Sequence, residues 1–360
     1  MTLLSPTSKA ILIMAGGTGG HIFPGLAVAE YLRLEGWRVY WLGNPKGMEF
    51  DIITKQGISF EAVEFGGLRG KGLLTKLKLP YHLLKASIQS LQIIRRLKPN
   101  VLLGMGGYIT FPAGLVASVV GYPLVLHEQN SIAGLANKVL SKLASRSLCA
   151  FPDAIANAEW VGNPLRANLL QLAVPAERFA DRAGPLKVLV VGGSLGAQAL
   201  NEIVPQAISL IPESERPLVT HQSGQKNVEA LLTNYQEAGV DATVIPFIDD
   251  MAKAYDQADI VICRSGAMTV AELAACGVAS YLVPFPYAVD DHQTSNAQFL
   301  SRSGAAILMP QSELSPRRLA DWLQSINRDK LLEMSNQALK MAKPFATVRV
   351  AEVCKEVGLA

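Results

Sequence analysis

Two glycine-rich turns carry the residues best suited to hold a phosphate or a sugar. The first follows the apolar run Ala10-Ile11-Leu12-Ile13-Met14 and reads Gly16-Gly17-Thr18-Gly19-Gly20-His21. The second follows Lys187-Val188-Leu189-Val190-Val191 and reads Gly192-Gly193-Ser194-Leu195-Gly196-Ala197. Both are expected to open helices, from Pro24 to about Leu34 and from Ala197 to about Leu210. Glycine lets backbone N–H groups approach a ligand closely, and a helix N-terminus favours negative charge. Tight helix-strand packing would explain one such turn but explains a pair less well. Neither is a dinucleotide fingerprint. Gly17-Thr18-Gly19-Gly20 lacks the GxGxxG spacing, and Trp37 to Leu42 stand where the acidic ribose ligand belongs.

Three further segments carry polar groups in useful patterns. Cys263-Arg264-Ser265-Gly266-Ala267-Met268-Thr269-Val270-Ala271-Glu272 follows a buried strand and begins a helix at Ser265-Gly266. Its first N–H groups suit a diphosphate, and Glu272, two turns in, suits a pair of adjacent ribose hydroxyls. Taken alone, Ser265 reads equally as a cap and Glu272 as a solvated helix residue. Asp290-Asp291-His292-Gln293-Thr294-Ser295-Asn296-Ala297 offers amides that donate and accept at once, as sugar recognition requires. Its acids and histidine are metal-ligand types, yet adjacent acids at a helix start read first as caps and dipole partners. With no Asp-x-Asp triplet in the chain, a metal-held diphosphate is not expected. Finally, His127-Glu128-Gln129-Asn130 and Gly104-Met105-Gly106-Gly107-Tyr108 end strands, where polar residues serve a site or merely satisfy a loop.

The elements that position these groups alternate strand and helix along the whole chain. Strands are expected at 10–15, 37–42, 59–65, 101–104, 123–127 and 146–151, then at 187–192, 217–222, 242–247, 259–263, 279–283 and 305–309. The expected class is α/β, with two Rossmann-like domains whose parallel sheets face a central cleft. A length of 360 residues suits two such cores. The expected division is an N-terminal domain at 1–163, a C-terminal domain at 164–343 and a final helix, 344–360, crossing back to the first. Four scattered cysteines, without CxxC spacing, read as reduced thiols.

Charge is uneven. Between Phe65 and His127 there is no Asp or Glu, while Arg69, Lys71, Lys76, Lys78, Lys85, Arg95, Arg96 and Lys98 fall there. A charge run is usually a solvated face, but here Leu68, Leu73 and Leu74 stand among the cations in a glycine-rich loop. Apolar side chains beside lysines suit an anionic membrane surface. Few aromatics interleave, so nucleic acid is not the expected partner. Val101 to His127 is uncharged but broken by glycines and prolines, so it reads as buried strand and helix rather than as a membrane span.

In this order, the motifs closely resemble the bacterial family of undecaprenyldiphospho-muramoylpentapeptide β-N-acetylglucosaminyltransferases, which make lipid II. The likeness runs from about Ala10 to Val357 and includes Gly67 to Gly72, Val161 to Arg166 and Phe247 to Met251. The resemblance implies a B-type (GT-B) inverting glycosyltransferase on the cytoplasmic face of the inner membrane. Its donor would be UDP-GlcNAc and its acceptor an undecaprenyl-linked lipid, with no cofactor and no obligatory metal. Donor contacts would come from Ser194, the backbone of Ile248, the turn through Ala267, Met268, Thr269, Val270 and Ala271, then Glu272 and Gln293. Thr18, Gly19, Gly20, Tyr108, Asn130 and Arg166 would line the acceptor side. His21 is the expected base and Glu128 its alternative. Leu68, Arg69, Lys71, Leu73, Leu74, Lys76 and Lys78 would touch the membrane, and other cell-wall synthesis proteins are possible partners. A UDP-GlcNAc 2-epimerase shares the architecture but needs no lipid surface.

Overall fold

A computed structural model describes residues 9–66, 78–193 and 196–359. The chain forms two compact units, Met1–Arg166 with Lys343–Ala360, and Ala167–Ala342. Leu68, Arg69, Lys71, Leu73, Leu74, Lys76 and Ser194 lie outside the described residues, as does most of a helix expected at 73–79.

The first unit is built on β1 (Ala10–Met14), β2 (Arg38–Gly43), β3 (Ser59–Ala62), β4 (Val101–Gly104), β5 (Leu124–Glu128), β6 (Arg146–Cys149) and β7 (Glu159–Trp160). They pair in parallel in the order β3-β2-β1-β4-β5-β6-β7. Helices α1 (Gly19–Leu34), α2 (Met48–Lys55), α3 (Leu79–Leu97), α4 (Thr110–Val119) and α5 (Leu135–Leu140) connect them. β1 shows why its apolar run is unbroken. Alternate side chains point to opposite faces of a strand, so Ile11 and Ile13 enter one core while Leu12 and Met14 enter the other. Both faces are covered, and no position on β1 meets water.

The second unit repeats the plan. It contains α6 (Pro175–Ala180), β8 (Lys187–Val191), α7 (Gln198–Ser209), β9 (Leu218–Gln222), α8 (Val228–Ala238), β10 (Thr243–Ile245), α9 (Met251–Gln257), β11 (Ile260–Cys263), α10 (Ala267–Cys276), β12 (Ser280–Leu282), α11 (His292–Ser301), β13 (Ala306–Leu308), α12 (Pro316–Ser325) and α13 (Arg328–Lys340). Its parallel order is β10-β9-β8-β11-β12-β13. The last helix, α14 (Ala346–Leu359), packs on α1 in the first unit, where Val350, Ala351, Val353 and Cys354 join the core around Ile11 and Leu26.

Strand order reverses beside the first strand of each sheet, between β1 and β4 and between β8 and β11. Ligands of open α/β sheets bind outside the carboxyl ends of strands at this switch point. The glycine turns after β1 and β8, the Gly104–Tyr108 loop and the Ser265-Gly266 turn therefore all sit where such a sheet receives its ligand. Helices α2 and α6 were not expected from the sequence. Both are short, and the β-branched Ile52, Ile53 and Thr54 of α2 lower its intrinsic propensity. Burial of Ile53 and Glu49 holds α2 instead.

At the opposite, amino-terminal ends of the central strands β8 and β11, the buried Asp259 carboxylate accepts from Arg182 at 2.6 Å, Arg328 at 3.0 Å and the Lys187 N–H at 2.8 Å. Removing it strands two largely buried guanidinium groups. Asp259→Ala is expected to lower the stability of this unit by roughly 3 kcal/mol, read as a lower denaturant midpoint. Arg317→Ala, which breaks only the exposed pair with Asp321, should shift that midpoint by less than about 1 kcal/mol.

Candidate functional site

In the first unit the chain leaves β1, turns through Gly16 and Gly17 (φ +89°) and enters α1. The helix begins at Gly19 rather than at Pro24, because glycine's low helix propensity hides the start from a sequence reading. His21 thus sits in the first helical turn, its N–H on the Thr18 carbonyl at 3.1 Å. The cap Thr18 makes no side-chain capping bond, and no acid occupies this turn, so the positive end of the helix is left for a ligand. Nδ1 of His21 lies 3.2 Å from the Gly16 carbonyl and 3.4 Å from the Thr18 hydroxyl. A carbonyl only accepts, so Nδ1 carries the proton and Nε2 is the basic nitrogen.

The loop after β4 reaches the same place by main chain. A Cβ on Gly107 (φ +85°) would strike the Gly16 carbonyl oxygen, and one on Gly106 (φ +91°) would lie 2.9 Å from His21 Cδ2. Only glycine permits both the conformation and the approach. Thr110 locks the loop by donating its hydroxyl to the Gly106 carbonyl at 2.8 Å. From beneath, the buried Glu49 of α2 accepts the N–H groups of Asn44 at 3.0 Å and Gly17 at 3.3 Å. Sequence reasoning missed Glu49. Its signal was an acid just past the glycine-rich end of β2, in a segment not read as helix.

The end of β5 divides its labour. Glu128 is buried, and its carboxylate accepts from the Asn130 N–H (3.0 Å) and side chain (3.3 Å), the Gly134 N–H (3.2 Å) and Asn137 (2.9 Å). It thereby organises the loop that follows. His127 is fully buried, with Nε2 at 2.8 Å from the Gly162 carbonyl and Nδ1 at 3.0 Å from Gln129 Nε2. Burial pushes its imidazole down to about 4, so it stays neutral in the folded unit. Asn130 is half-buried, while Tyr108, Thr18 and Arg166 are exposed.

In the second unit the turn after β8 passes Gly193 (φ +80°) and Gly196 (φ +77°) before α7. A Cβ on Gly196 would strike the Ser223 carbonyl oxygen, so this turn too is held by main-chain contact. After β11, Gly266 caps α10 without a side-chain bond and without an acid in the first turn. Ser265 is not the cap. Its hydroxyl donates to the Gln293 carbonyl at 2.8 Å, tying α10 to α11, and Asn296 donates to the Ser265 carbonyl at 3.2 Å. Gln293 in turn accepts the Phe285 N–H at 2.9 Å, which orients its amide. Glu272, partly exposed, accepts from the buried Tyr255 hydroxyl at 3.1 Å. Burial first, and the Glu272 charge second, hold that phenol well above its usual range, so it remains a donor.

Not every expected donor contact lies open. Val270 is fully buried and its N–H closes onto the Gly266 carbonyl at 3.0 Å, so it belongs to the helix and core. Ala267 and Ile248 are also buried, whereas Met268, Thr269 and Ala271 are half-buried. Asp290 and Asp291 occupy left-handed conformations (φ +52° and +51°), uncommon for residues with a Cβ. Asp291 makes no capping bond to the backbone of α11 and accepts the Thr294 hydroxyl at 2.7 Å instead.

Known proteins share this fold. The glycosyltransferase family 28 N-terminal domain matches residues 11–149, and the family 28 C-terminal domain residues 187–350. A Cupriavidus metallidurans protein is 62% identical over 98% of this chain and 99% of its own length. It is named UDP-N-acetylglucosamine--N-acetylmuramyl-(pentapeptide) pyrophosphoryl-undecaprenol N-acetylglucosamine transferase. A Burkholderia thailandensis protein of the same name is 60% identical over 99% of this chain and 98% of its own. Among solved structures, Acinetobacter baumannii MurG superposes with a TM-score of 0.86 at 41% identity, covering 97% of this chain and 99% of that one.

Two buried histidines give the fold a pH signature. Burial pushes the His127 imidazole down to about 4 and that of His221, packed against Tyr235, down to about 3, from the ordinary 6.5. Between these values the unfolded chain binds the extra protons, so stability is full above about pH 6.5 and falls as pH drops toward 4. Thermal unfolding followed across this window should show that fall, and His221→Gln should flatten it relative to its own value at neutral pH.

Proposed function

This chain belongs to glycosyltransferase family 28, and we propose that it transfers N-acetylglucosamine from UDP-GlcNAc to the C4 hydroxyl of MurNAc in undecaprenyl-pyrophosphoryl-MurNAc-pentapeptide. Near-full-length identity to transferases of that name carries the reading. The product is lipid II, the disaccharide-bearing lipid of peptidoglycan synthesis.

The second unit takes the donor. The start of α10 and the turn before α7 meet the diphosphate, with Ser194 assigned to it by motif alone; the Ile248 backbone meets uracil. Glu272, fixed by Tyr255, accepts from the ribose hydroxyls, and Gln293 reads GlcNAc hydroxyls. The first unit takes the acceptor along Thr18, Gly19, Gly20, Tyr108, Asn130 and Arg166. His21 Nε2 takes the C4 hydroxyl proton while that oxygen bonds C1 of GlcNAc, and the C1–O bond to UDP breaks with its electron pair on the diphosphate. Configuration at C1 inverts. Helix N-termini and backbone donors meet the leaving charge without an obligatory metal. Glu128, the alternative base, already receives four N–H donors from its own loop and from Asn137 of α5, which suits a positioning role better.

A lipid acceptor places this chemistry at an anionic membrane surface, and peripheral contact on the cytoplasmic face is the arrangement we propose. Among the described residues no helix is long and apolar enough to cross a membrane. α3 exposes Tyr81, Leu84 and Ile88 along one stripe, directly after the exposed Lys78. This is the mixed apolar and cationic face expected of a peripheral contact.

Incubation with UDP-GlcNAc and a short-chain lipid I analogue should release UDP and form the disaccharide; UDP-ManNAc from UDP-GlcNAc alone would point to an epimerase instead. His21→Ala should lower kcat by roughly 10²- to 10⁴-fold and remove the acidic limb of the pH profile. Near-normal turnover with an unchanged profile excludes His21 as the base. Leu84→Ser with Ile88→Ser and Lys78→Glu should weaken sedimentation with anionic vesicles, and unaltered binding at low salt refutes this contact.

A further inference from the structure

We infer that Gln129 is a positioning residue for His21: its side-chain carbonyl presents the negative end of a fixed dipole to the imidazole and stabilises the imidazolium that proton transfer creates. The inference rests on the assignment of His21 as the base.

Gln129 is 1% exposed, and its Oε1 has no hydrogen-bond partner among the described residues, whereas its Nε2 donates twice, to His127 Nδ1 at 3.0 Å and to the His127 carbonyl at 3.1 Å. A carbonyl cannot donate, so the contact with the His127 carbonyl settles which end of the amide is nitrogen. It also leaves His127 Nδ1 as acceptor and its Nε2–H as donor to Gly162. The amide is therefore clamped at one end, and its backbone carbonyl is held as well, by Asn163 at 3.1 Å.

The other end and the base both border Gly106. A Cβ on Gly106 would lie 3.2 Å from Gln129 Oε1 and 3.1 Å from His21 Nε2, so both atoms face one spot that only glycine leaves empty. Leaving a buried amide oxygen unpaired carries a real desolvation penalty, and such groups in folded proteins call for a functional account. A neutral imidazole gains little from a facing carbonyl; an imidazolium gains much more. The other titratable groups on the elements packed here are Glu49 below Gly17, His127 and Glu128 on β5, and Tyr108 after β4.

The test is an NMR titration of the His21 ring in the full, unliganded chain, assigned by comparison with His21→Gln, for the native chain, Gln129→Met and Gln129→Glu. Both variants lose the clamp on His127, but Met removes the oxygen and Glu keeps it with added charge. The His21 midpoint should fall by about half a unit in Gln129→Met and rise by at least about as much in Gln129→Glu. Gln129→Met should also lose roughly tenfold in kcat with KM for UDP-GlcNAc unchanged. Equal midpoints in all three proteins overturn the inference, as do shifts of the same sign in both variants, which a merely structural role through His127 would give. The titration needs no substrate, so its failure is separate from failure of the transfer reaction itself.

Discussion

The close approach of Gly107 to the Gly16 carbonyl oxygen is the constraint on which the first unit's site depends. That carbonyl has two neighbours. One is the loop after β4, which can reach it only because Gly106 and Gly107 adopt left-handed conformations without a Cβ in the way. The other is His21, whose Nδ1 proton it accepts. Because the same oxygen is pinned by one and read by the other, the tautomer of the imidazole follows from the loop geometry. A side chain at Gly107 would move the carbonyl and so turn the ring, and one at Gly106 would strike the ring itself.

The second unit solves the same problem with the same material. Gly196 meets the Ser223 carbonyl as Gly107 meets Gly16, and α10 begins without a side-chain cap as α1 does. Main-chain donors at helix starts suit anionic ligands that must bind and then leave, because they offer partial charges already oriented by the fold. Side chains then add identity. Tyr255 turns Glu272 into an acceptor pointed in one direction, and Phe285 does the same for the Gln293 amide.

The segment at the end of β5 shows how residues of similar type part company once packed. Glu128 and His127 are both ionisable, both buried and both near a switch point. One spends its oxygens on four N–H donors, three of its own loop and one of α5, and the other is kept neutral by burial while bridging Gly162 and Gln129. Neither arrangement resembles a group poised to exchange protons with a substrate. His21 differs by being only partly buried, at a helix start, with its acceptor nitrogen turned away from the carbonyl that fixes it.

The parallel sheets, their strands apart from the two-residue, exposed edge strand β7, and the glycine turns were legible in the sequence because they follow from local pattern. Unbroken apolar runs such as Ala10 to Met14 mark strands covered on both faces, and glycines at their ends mark turns that bare the backbone. The ordered motifs further pointed to a nucleotide-sugar transferase. What local pattern could not convey was which polar groups face each other. Glu49 lies 32 residues beyond Gly17, whose N–H it accepts; Gln129 Oε1 and His21 Nε2 meet only across the spot that Gly106 leaves vacant. Helix α1 starts earlier than propensity suggests, since its contacts outweigh the entropy of Gly19 and Gly20. Backbone preference acts over a few residues and is written in sequence order, whereas the direction of a hydrogen bond depends on where distant strands end, and that is decided only when the sheet assembles.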